Sequence, residues 1–459
     1  MKRLVSERLD AWLSAPDRRP IVLRGARQVG KTWLVRDLAR RAGRELVEVN
    51  LERDPTFRRY FTSNDPPTIL GELSLALGRS ITSGSSILFL DEIQAAGELL
   101  GKLRWFYEEM PELPVLAAGS LLEFTLRDHD FSVPAGRVSF LQIEPMGYLE
   151  YLQAHGQGAL AGALASWRPG QDLPMAAHDV ATRWFQRYAM VGGMPAAVAA
   201  DVAGTEPRTI RDLQRDLVAT YRADFAKYSG RMDRDILDAV LAAVARSLGS
   251  KLVYARVGAG VKQHQARRAL ELLASARLCH VVRHTAANGL PLGSEAKDNP
   301  RKAVLADVGL FHALAGTPAA DRFPRLESLT AGLRGQLTDQ LAGQQLRLID
   351  SGTGDGPELF FWKREGGRPG EVDYVAQIEG RVVPVELKAG AAGSMKSLHQ
   401  FMFDKHLVLA VRSDTNPPSM QDIQMRTTRG DDVRYRLIGV PLYLFWNLPV
   451  VVADTLSRS

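Results

Sequence analysis

The chain has 459 residues, more than one ordinary hydrophobic core accommodates, which predicts two or three domains. Apolar residues make up 45% and charged residues 24%, a balance that excludes a largely disordered chain. Lys and Arg total 58 against 52 for Asp and Glu, so the net charge is +6. This mild excess fits either an arginine-rich solvated surface or a polyanion such as DNA or RNA. The single cysteine, Cys279, excludes an internal disulfide and indicates a reducing compartment, so we expect a cytoplasmic protein.

No segment of the sequence is typical of a membrane protein. The longest apolar stretch, 441–453, is interrupted by Asn447 and Pro449 and is shorter than the ~20 residues of a spanning helix. The first residues alternate charged and apolar side chains at helical spacing, so they lack the continuous apolar core of a secretory signal. We therefore expect neither export nor membrane insertion.

Residues 1–150 show the pattern of an α/β domain. Strand-like apolar runs alternate with helical segments and lie at 21–25, 45–52, 86–93, 115–120 and 137–145. These runs lack polar alternation, so both faces of each strand are expected to be buried, as in a parallel sheet.

Two further regions follow this domain. Residues 151–318 are rich in Ala, Leu and Arg at helical spacing and are predicted to be mostly helical. Within them, 261–292 passes from an amphipathic helix to two strand-like pieces joined at Asn288-Gly289, an order typical of a winged-helix unit. Residues 319–459 return to alternating strands and helices, which predicts a third, α/β domain.

The segment after the first predicted strand matches the P-loop pattern G-x-x-x-x-G-K-[ST] and precedes a predicted helix. In this motif the backbone N–H groups wrap phosphates, Lys31 reaches the β and γ phosphates, and the Thr32 hydroxyl binds Mg²⁺. We therefore expect ATP and Mg²⁺ as ligands. The residues expected to surround the nucleotide are Gly25, Ala26, Arg27, Gln28, Val29, Gly30, Lys31, Thr32 and Trp33.

A second polar group follows the apolar run 87–90. Asp91 and Glu92 end this run, where the carboxyl edge of a parallel sheet places functional side chains. Asp91 is expected to hold Mg²⁺, and Glu92 to orient or deprotonate an attacking water. Gln94 either supports the same water or is a surface residue. A water-activating glutamate favours hydrolysis over phosphoryl transfer to another acceptor.

Two other residues are candidates for the same site. Ser120 ends the next predicted strand, where it either contacts the γ phosphate or forms a plain turn. Arg137 precedes the following strand and either stabilises negative charge in the transition state or is a solvated side chain. Such an arginine could act within its own chain or on a neighbouring subunit.

The blocks LRGARQVGKT, LFLDEIQ, LAAGSLLEF and AGRVSFLQIEPMGYLEYL resemble the bacterial and archaeal predicted AAA+ superfamily ATPases whose C-terminal half is a domain of unknown function. The blocks WFQRYAMVGGMPAAV, RADFAKYS, KAVLADVGLF and GQLTDQLAGQQL continue the resemblance in the same order. It implies ATP binding and a sheet in which the Ser120 strand separates the P-loop and Asp91 strands. The chain departs from the family where Asp339 replaces a usual glutamate, and it shows no second arginine sensor of ring-forming members.

The C-terminal region contains a second group of charged residues. Asp373 and the pair Glu386 and Lys388 resemble the D…E-x-K pattern of PD-(D/E)XK nucleases, which implies a restriction-endonuclease-like fold. Residues i and i+2 of a strand share a face, so such carboxylates could hold Mg²⁺ beside a lysine. The alternatives are a salt-bridged strand pair on an inactive scaffold and a nucleic-acid-binding relic of that fold. The residues of this group are Asp339, Glu371, Asp373, Glu386 and Lys388.

Basic residues also surround the winged-helix-like unit, where they either contact phosphates or form a solvated face. They are Arg246, Lys251, Arg256, Lys262, Arg267 and Arg268. Three classes of function remain open from the sequence. The chain is an ATP-driven switch on DNA or RNA, an ATP-gated metal-dependent nuclease, or a scaffold whose nucleotide state controls a protein partner or a homo-oligomer.

Overall fold

The computed structural model describes residues 2–119, 122, 136–228, 232–317, 323–324, 326–349, 356–366, 369–391 and 393–457. Among the described helices, none combines the length and the apolarity needed to cross a membrane.

A five-stranded parallel sheet forms the centre of the N-terminal domain. Its strands are β1 (Ile21–Arg24), β2 (Glu45–Asn50), β3 (Ser86–Asp91), β4 (Val115–Ala118) and β5 (Ser139–Gln142). Their spatial order is β2-β3-β4-β1-β5, and all neighbours are parallel. The predicted α/β sheet is confirmed, and β4 lies between the P-loop strand and the strand that ends in Asp91.

Helices cover both faces of this sheet. They are α1 (Val5–Ser14), α2 (Lys31–Ala42), α3 (Pro66–Leu77) and α4 (Leu99–Glu109). Successive side chains of a strand point to opposite faces, so Ile87 and Phe89 of β3 join the core around α2, whereas Leu88 and Leu90 pack with α3 and α4. The uninterrupted burial of β3 explains why its sequence lacks polar alternation.

The middle of the chain is mostly helical, as the sequence predicted. Its helices are α5 (Tyr148–Ala154), α6 (Gly158–Ser166), α7 (Met175–Val191), α8 (Pro195–Val202), α9 (Pro207–Asp224), α10 (Arg234–Arg246), α11 (Gln263–Ser275) and α12 (Val308–Leu314). An antiparallel hairpin of β6 (Cys279–Thr285) and β7 (Ala296–Leu305) follows α11. The predicted helix and hairpin are present in this order, and the winged-helix-like unit itself stays a prediction.

The C-terminal region forms a mixed sheet with further strands. They are β8 (Leu359–Lys363), β9 (Glu371–Ile378), β10 (Arg381–Leu387), β11 (Leu409–Ser413), β12 (Ser419–Arg426) and β13 (Asp432–Gly439). The α-helices described in this region are α13 (Ala331–Leu348), α14 (Lys396–Asp404) and α15 (Leu448–Ser457).

The hairpin and the C-terminal strands share one eight-stranded sheet in the order β12-β13-β11-β10-β9-β8-β6-β7. The predicted domain boundary between residues 318 and 319 therefore separates β6 and β7 from β8 to β13, although all of these strands belong to the same sheet. The N-terminal domain is joined to this region by a buried ion pair. Glu144, which follows β5, lies 2.6 Å from the guanidinium of Arg347 on α13.

Candidate functional site

The predicted P-loop lies between β1 and α2, as the motif requires. Gly25 has a φ of +140°, and a Cβ atom there would lie 2.2 Å from the carbonyl oxygen of Ile143. Gly30 has a φ of +94° and immediately precedes α2. Both glycines have a φ that other residues rarely adopt, and Gly25 also has no room for a Cβ atom, so the two glycines shape the loop at the carboxyl end of β1.

Lys31 is buried, with 8% of its surface exposed. Its Nζ donates hydrogen bonds to the carbonyl oxygens of Gly25 and Ala26, both at 2.9 Å. Burial lowers the pKa of Lys31 to about 8, although the charges of Glu92 and Asp91 act in the opposite direction. The ammonium group is therefore held against the loop on the side of these carboxylates.

Thr32 and Asp91 meet at the carboxyl edge of the sheet. The Thr32 hydroxyl lies 3.2 Å from Oδ2 of Asp91, which also accepts a hydrogen bond from the Asn50 side chain at 3.3 Å. Burial, followed by repulsion from Glu92, raises the pKa of Asp91. A nearby cation would offset this penalty, and hydroxyl and carboxylate oxygens are ligands that suit Mg²⁺. The donor set fits the expected ion.

Glu92 adopts a left-handed backbone conformation with a φ of +52°, which is uncommon for a residue other than glycine. Its Oε2 accepts a hydrogen bond of 2.5 Å from Nε2 of Gln94. The amide oxygen of Gln94 lies against Gly119, which follows β4. A Cβ atom at Gly119 would be only 2.3 Å from Gln94 Oε1. Gln94 thus lies beside Glu92 and at the edge of the neighbouring strand rather than on an open surface.

The other predicted residues of this site have different positions. Ser120 lies outside the described residues. Trp33 is on the first turn of α2, with 42% of its surface exposed. Arg137 precedes Ser139, which pairs with Ile21 at the beginning of β1, so Arg137 is at the edge of the sheet opposite the P-loop. There its Nε donates to Glu108 at 2.7 Å, and within this chain the structure does not bring it to Lys31 or Asp91.

The P-loop is contacted by parts of the chain that the sequence analysis did not connect with it. The Arg3 guanidinium donates to the carbonyl oxygen of Val29 at 2.9 Å. Arg27 forms an ion pair of 2.8 Å with Asp224, the last residue of α9. A Cβ at Gly30 would lie 3.6 Å from the ring of Pro195, the first residue of α8. No local motif marks these partners, although Asn50 could have been found as a polar residue that ends a strand.

The predicted C-terminal residues are also brought together. Oδ2 of Asp373 accepts a hydrogen bond of 2.8 Å from the backbone N–H of Leu387, and Lys388 Nζ lies 2.6 Å from Oε1 of Glu386. Burial, together with the charge of Asp373, raises the pKa of Asp339 and that of Glu386 to about 7. The carboxyl groups are therefore close enough to oppose one another's ionisation.

A lysine that the sequence analysis did not single out lies in this cluster. Lys302 of β7 is 3% exposed, and its Nζ is 2.5 Å from Oε1 of Glu371. Burial alone would lower its pKa, but Asp339 and then Glu371 outweigh this effect and raise it. The ammonium group thus supplies positive charge among the carboxylates. In the part of the chain that the structure describes, no group of three or more His, Cys, Asp or Glu side chains is arranged to hold a metal ion.

The basic residues around α11 divide into two kinds. Arg267 donates to Asp298 at 2.6 Å and to Glu271 at 3.2 Å, so its charge is engaged within the chain. Arg256, Lys262 and Arg268 are exposed, and none of them forms an ion pair with another described residue. Arg246 is likewise exposed, and Lys251 is partly buried.

Comparison with known families agrees with this geometry. Residues 17–152 match the family described as AAA domain. The N-terminal part of the chain is therefore an AAA+-type P-loop ATPase domain. Residues 182–321 and 334–426 match two families described as domains of unknown function, DUF8612 and DUF4143. A comparison with curated proteins found no match.

Three solved structures show low overall similarity to the chain. The Walker-type ATPase PABY2304 of Pyrococcus abyssi is 17% identical, with a TM-score of 0.42, 68% of this chain covered and 94% of the other. C. elegans PCH-2 is 12% identical, with a TM-score of 0.27 and coverages of 42% and 59%. The Aeropyrum pernix ORC1 protein, solved in complex with DNA, is 16% identical, with a TM-score of 0.25 and coverages of 70% and 94%.

Proposed function

We propose that this chain hydrolyses Mg-ATP at the P-loop and uses the cycle to reposition its helical and C-terminal regions on nucleic acid. The observation that carries the first half is the meeting of Lys31, Thr32 and Asp91 at one sheet edge. There the Thr32 hydroxyl and the Asp91 carboxylate are 3.2 Å apart, beside a buried ammonium group. This arrangement suits a polyphosphate and its counter-ion.

Each side chain has a distinct part in the proposed reaction. The backbone N–H groups of the loop and the ammonium of Lys31 would bind the phosphates, while Thr32 and Asp91 would hold Mg²⁺, which neutralises phosphate charge. Glu92, oriented by its 2.5 Å hydrogen bond to Gln94, would position the attacking water and accept its proton. Ser120 remains a proposed contact of the terminal phosphate. Arg137 has no proposed part within its own chain and could act only on a neighbouring subunit.

Exposed cations on one segment support the proposal of a nucleic-acid partner. Arg256, Lys262 and Arg268 lie on or just before α11, and no described carboxylate neutralises them. Their guanidinium and ammonium groups are free to contact backbone phosphates, which supply most of the affinity in such complexes. The engaged Arg267 is less suited to this role because binding would have to replace two existing ion pairs.

Phosphate release from Mg-ATP by the full chain, with and without single- and double-stranded DNA, tests both halves. Glu92→Gln should keep nucleotide binding and lose about 10²- to 10⁴-fold in kcat. Normal turnover by this variant would refute the role of Glu92. Lys31→Ala should lose ATP binding.

The nucleic-acid half is tested by replacing the exposed cations of α11. Lys262→Glu together with Arg268→Glu should abolish any stimulation by DNA and leave basal turnover intact. Arg381→Glu is the matched control, because Arg381 is also exposed but lies on β10. Wild-type turnover that is indifferent to DNA and to RNA would refute a nucleic-acid partner and favour a scaffold whose nucleotide state controls a protein partner.

A further inference from the structure

One residue of the P-loop is tied to the helical region through both its side chain and its backbone. Nη1 of Arg27 lies 2.8 Å from Oδ1 and 2.9 Å from Oδ2 of Asp224. The Tyr221 hydroxyl, one turn earlier on α9, donates to the carbonyl oxygen of Arg27 at 2.9 Å. The Asp224 side chain is only 8% exposed, whereas 34% of the Arg27 side chain is exposed. The last turn of α9 therefore holds the loop from outside the ATPase domain.

Arg27 also lies near the proposed phosphate site. After the hydrogen bond to Asp224, which is the largest effect, the charges of Glu92 and Glu52 contribute to raising the pKa of Arg27. The positive charge of Arg27 in turn contributes to lowering the pKa of Lys31. The guanidinium is thus within electrostatic range of Glu92 and Lys31, on the loop that would hold the phosphates. Both hydrogen bonds to Asp224 use Nη1, and a guanidinium has further donors on Nε and Nη2.

We infer that Arg27 is a nucleotide-sensing residue shared between Asp224 and the terminal phosphate of ATP, so that α9 responds to whether ATP or ADP is bound. The inference rests on the proposed ATP hydrolysis. The γ phosphate adds charge and acceptor oxygens that ADP lacks, and guanidinium groups bind phosphates through charge-assisted hydrogen bonds. Hydrolysis and phosphate release leave Asp224 as the principal partner of Arg27. Because α9 packs against α8 and α12, the change of partner reaches the helical region.

Three variants separate this role from a structural one. Arg27→Ala should lower the ratio of ATPγS affinity to ADP affinity by at least about fivefold, a typical coupling between two sites, while ADP still binds. Asp224→Asn should retain binding of both nucleotides but remove the difference in amide hydrogen exchange of α9 between the ATPγS and ADP complexes. Arg27→Lys, which keeps the charge but not the forked geometry, should fall between Arg27→Ala and the wild type in the affinity ratio.

Asp238→Asn, on α10, is a matched control because it removes another ion pair of α9. It removes the ion pair of 2.6 Å that Arg222 of α9 forms with Asp238, which does not involve the P-loop, so the exchange difference should persist. All measurements use the full chain with Mg²⁺ and fluorescent nucleotides, and circular dichroism confirms that the variants fold. If the ion pair between Arg27 and Asp224 were purely structural, its loss would lower the affinity for ATPγS and for ADP by the same factor.

An unchanged affinity ratio in Arg27→Ala, or an unchanged exchange difference in Asp224→Asn, would overturn the inference alone. A wild-type chain that binds neither nucleotide would overturn the proposed function and this inference with it. The two failures are therefore distinguishable.

Discussion

The Asp307 carboxylate accepts a hydrogen bond from the backbone N–H of Gly193, with 2.6 Å between Oδ2 and the nitrogen. The same carboxylate accepts bonds from Gly309 N at 2.8 Å and from Nε2 of Gln344 on α13 at 2.9 Å. The Gly193 carbonyl in turn accepts a bond of 2.7 Å from Met146 N, in the segment that leaves the ATPase sheet. One buried carboxylate therefore joins the three regions of the chain near the start of α8, which lies beside the P-loop.

Gly193→Ala is expected to destabilise the folded chain where these three regions meet. A Cβ at Gly193 would lie 2.1 Å from the carbonyl oxygen of Met146, which is backbone and cannot rotate away as a side chain could. Steric overlap of this kind costs about 1 to 3 kcal/mol, so the thermal midpoint should fall by several degrees. Gly162→Ala on α6 is the control, because a Cβ there meets no atom within 4 Å and alanine favours the helix. Equal thermal midpoints for Gly193→Ala and Gly162→Ala would contradict the close approach of Gly193 to the Met146 carbonyl.

Asp307 should make stability depend on pH. Burial raises its pKa to about 6, and this effect outweighs the three hydrogen bonds that favour the carboxylate. An unfolded aspartate has a pKa of about 3.9, so between these values the folded state binds more protons, and ionisation lowers stability as the pH rises. Asp307→Asn removes this contribution. Relative to the wild type, the variant should gain up to roughly 3 kcal/mol between pH 4 and pH 7. Urea unfolding at both pH values measures this gain, and a pH-independent difference would show that Asp307 does not titrate in this range.

The lowered pKa of Lys31 predicts a pH-dependent affinity for ATP. Phosphates bind the charged ammonium, so affinity should fall as the pH rises above about 8, where Lys31 loses its proton in the free protein. The fall should approach about tenfold per pH unit, the limit for loss of one proton. Equilibrium binding of ATP from pH 7.5 to 9.5 checks this, since the phosphates themselves no longer titrate there. Lys31→Arg should bind more weakly but without this slope, because arginine stays charged. A flat profile in the wild type would show that the ammonium does not deprotonate in the free site.

The P-loop and the Asp91 strand could be predicted because their signals are local. A glycine pattern between an apolar strand and a helix specifies both a backbone shape and a ligand class, and a polar pair at the end of a buried strand marks the functional edge of a sheet. The order of the strands could also be anticipated, although only through the resemblance to a known family. These features depend on residues that are neighbours in the sequence.

The partners of the site could not be predicted in this way. Arg27 meets Asp224 across 197 positions, and Asp307 meets Gly193 across 114. The residues next to Asp224, at the end of a helix, do not show which distant group this side chain contacts. The same is true of the turn Gly192–Pro195. The position of Arg137 could not be predicted either. The sequence places it just before a strand, and only the parallel pairing of that strand with β1 shows that it lies at the amino edge of the sheet.

The C-terminal carboxylates also have a partner that is distant in the sequence, and its charge affects whether the cluster can bind a metal ion. Lys302 comes from β7 and lies at 2.5 Å from Glu371, so an ammonium group from another strand already compensates negative charge there. A buried ion cluster that loses one partner is destabilised by about 3 to 5 kcal/mol, because uncompensated charge remains. We therefore expect Lys302→Gln to be much less stable than the wild type at pH 8. Lys297→Gln, on the same strand but in an exposed pair with Glu365, should be nearly neutral.

The cost of Lys302→Gln should shrink as the pH falls below 7, because protonation of the carboxyl groups removes the charge that the lysine balanced. The pKa values of Asp339 and Glu386 are already raised to about 7 with the lysine present, and without it the carboxyl groups should protonate more readily still. Thermal unfolding at pH 6 and pH 8 measures this recovery. With Lys302 in place, Mg²⁺ should neither stabilise the cluster nor support cleavage of DNA, and Asp373→Asn should leave any background cleavage unchanged. Mg²⁺-dependent cleavage by the wild type that Asp373→Asn abolishes would instead establish a nuclease site.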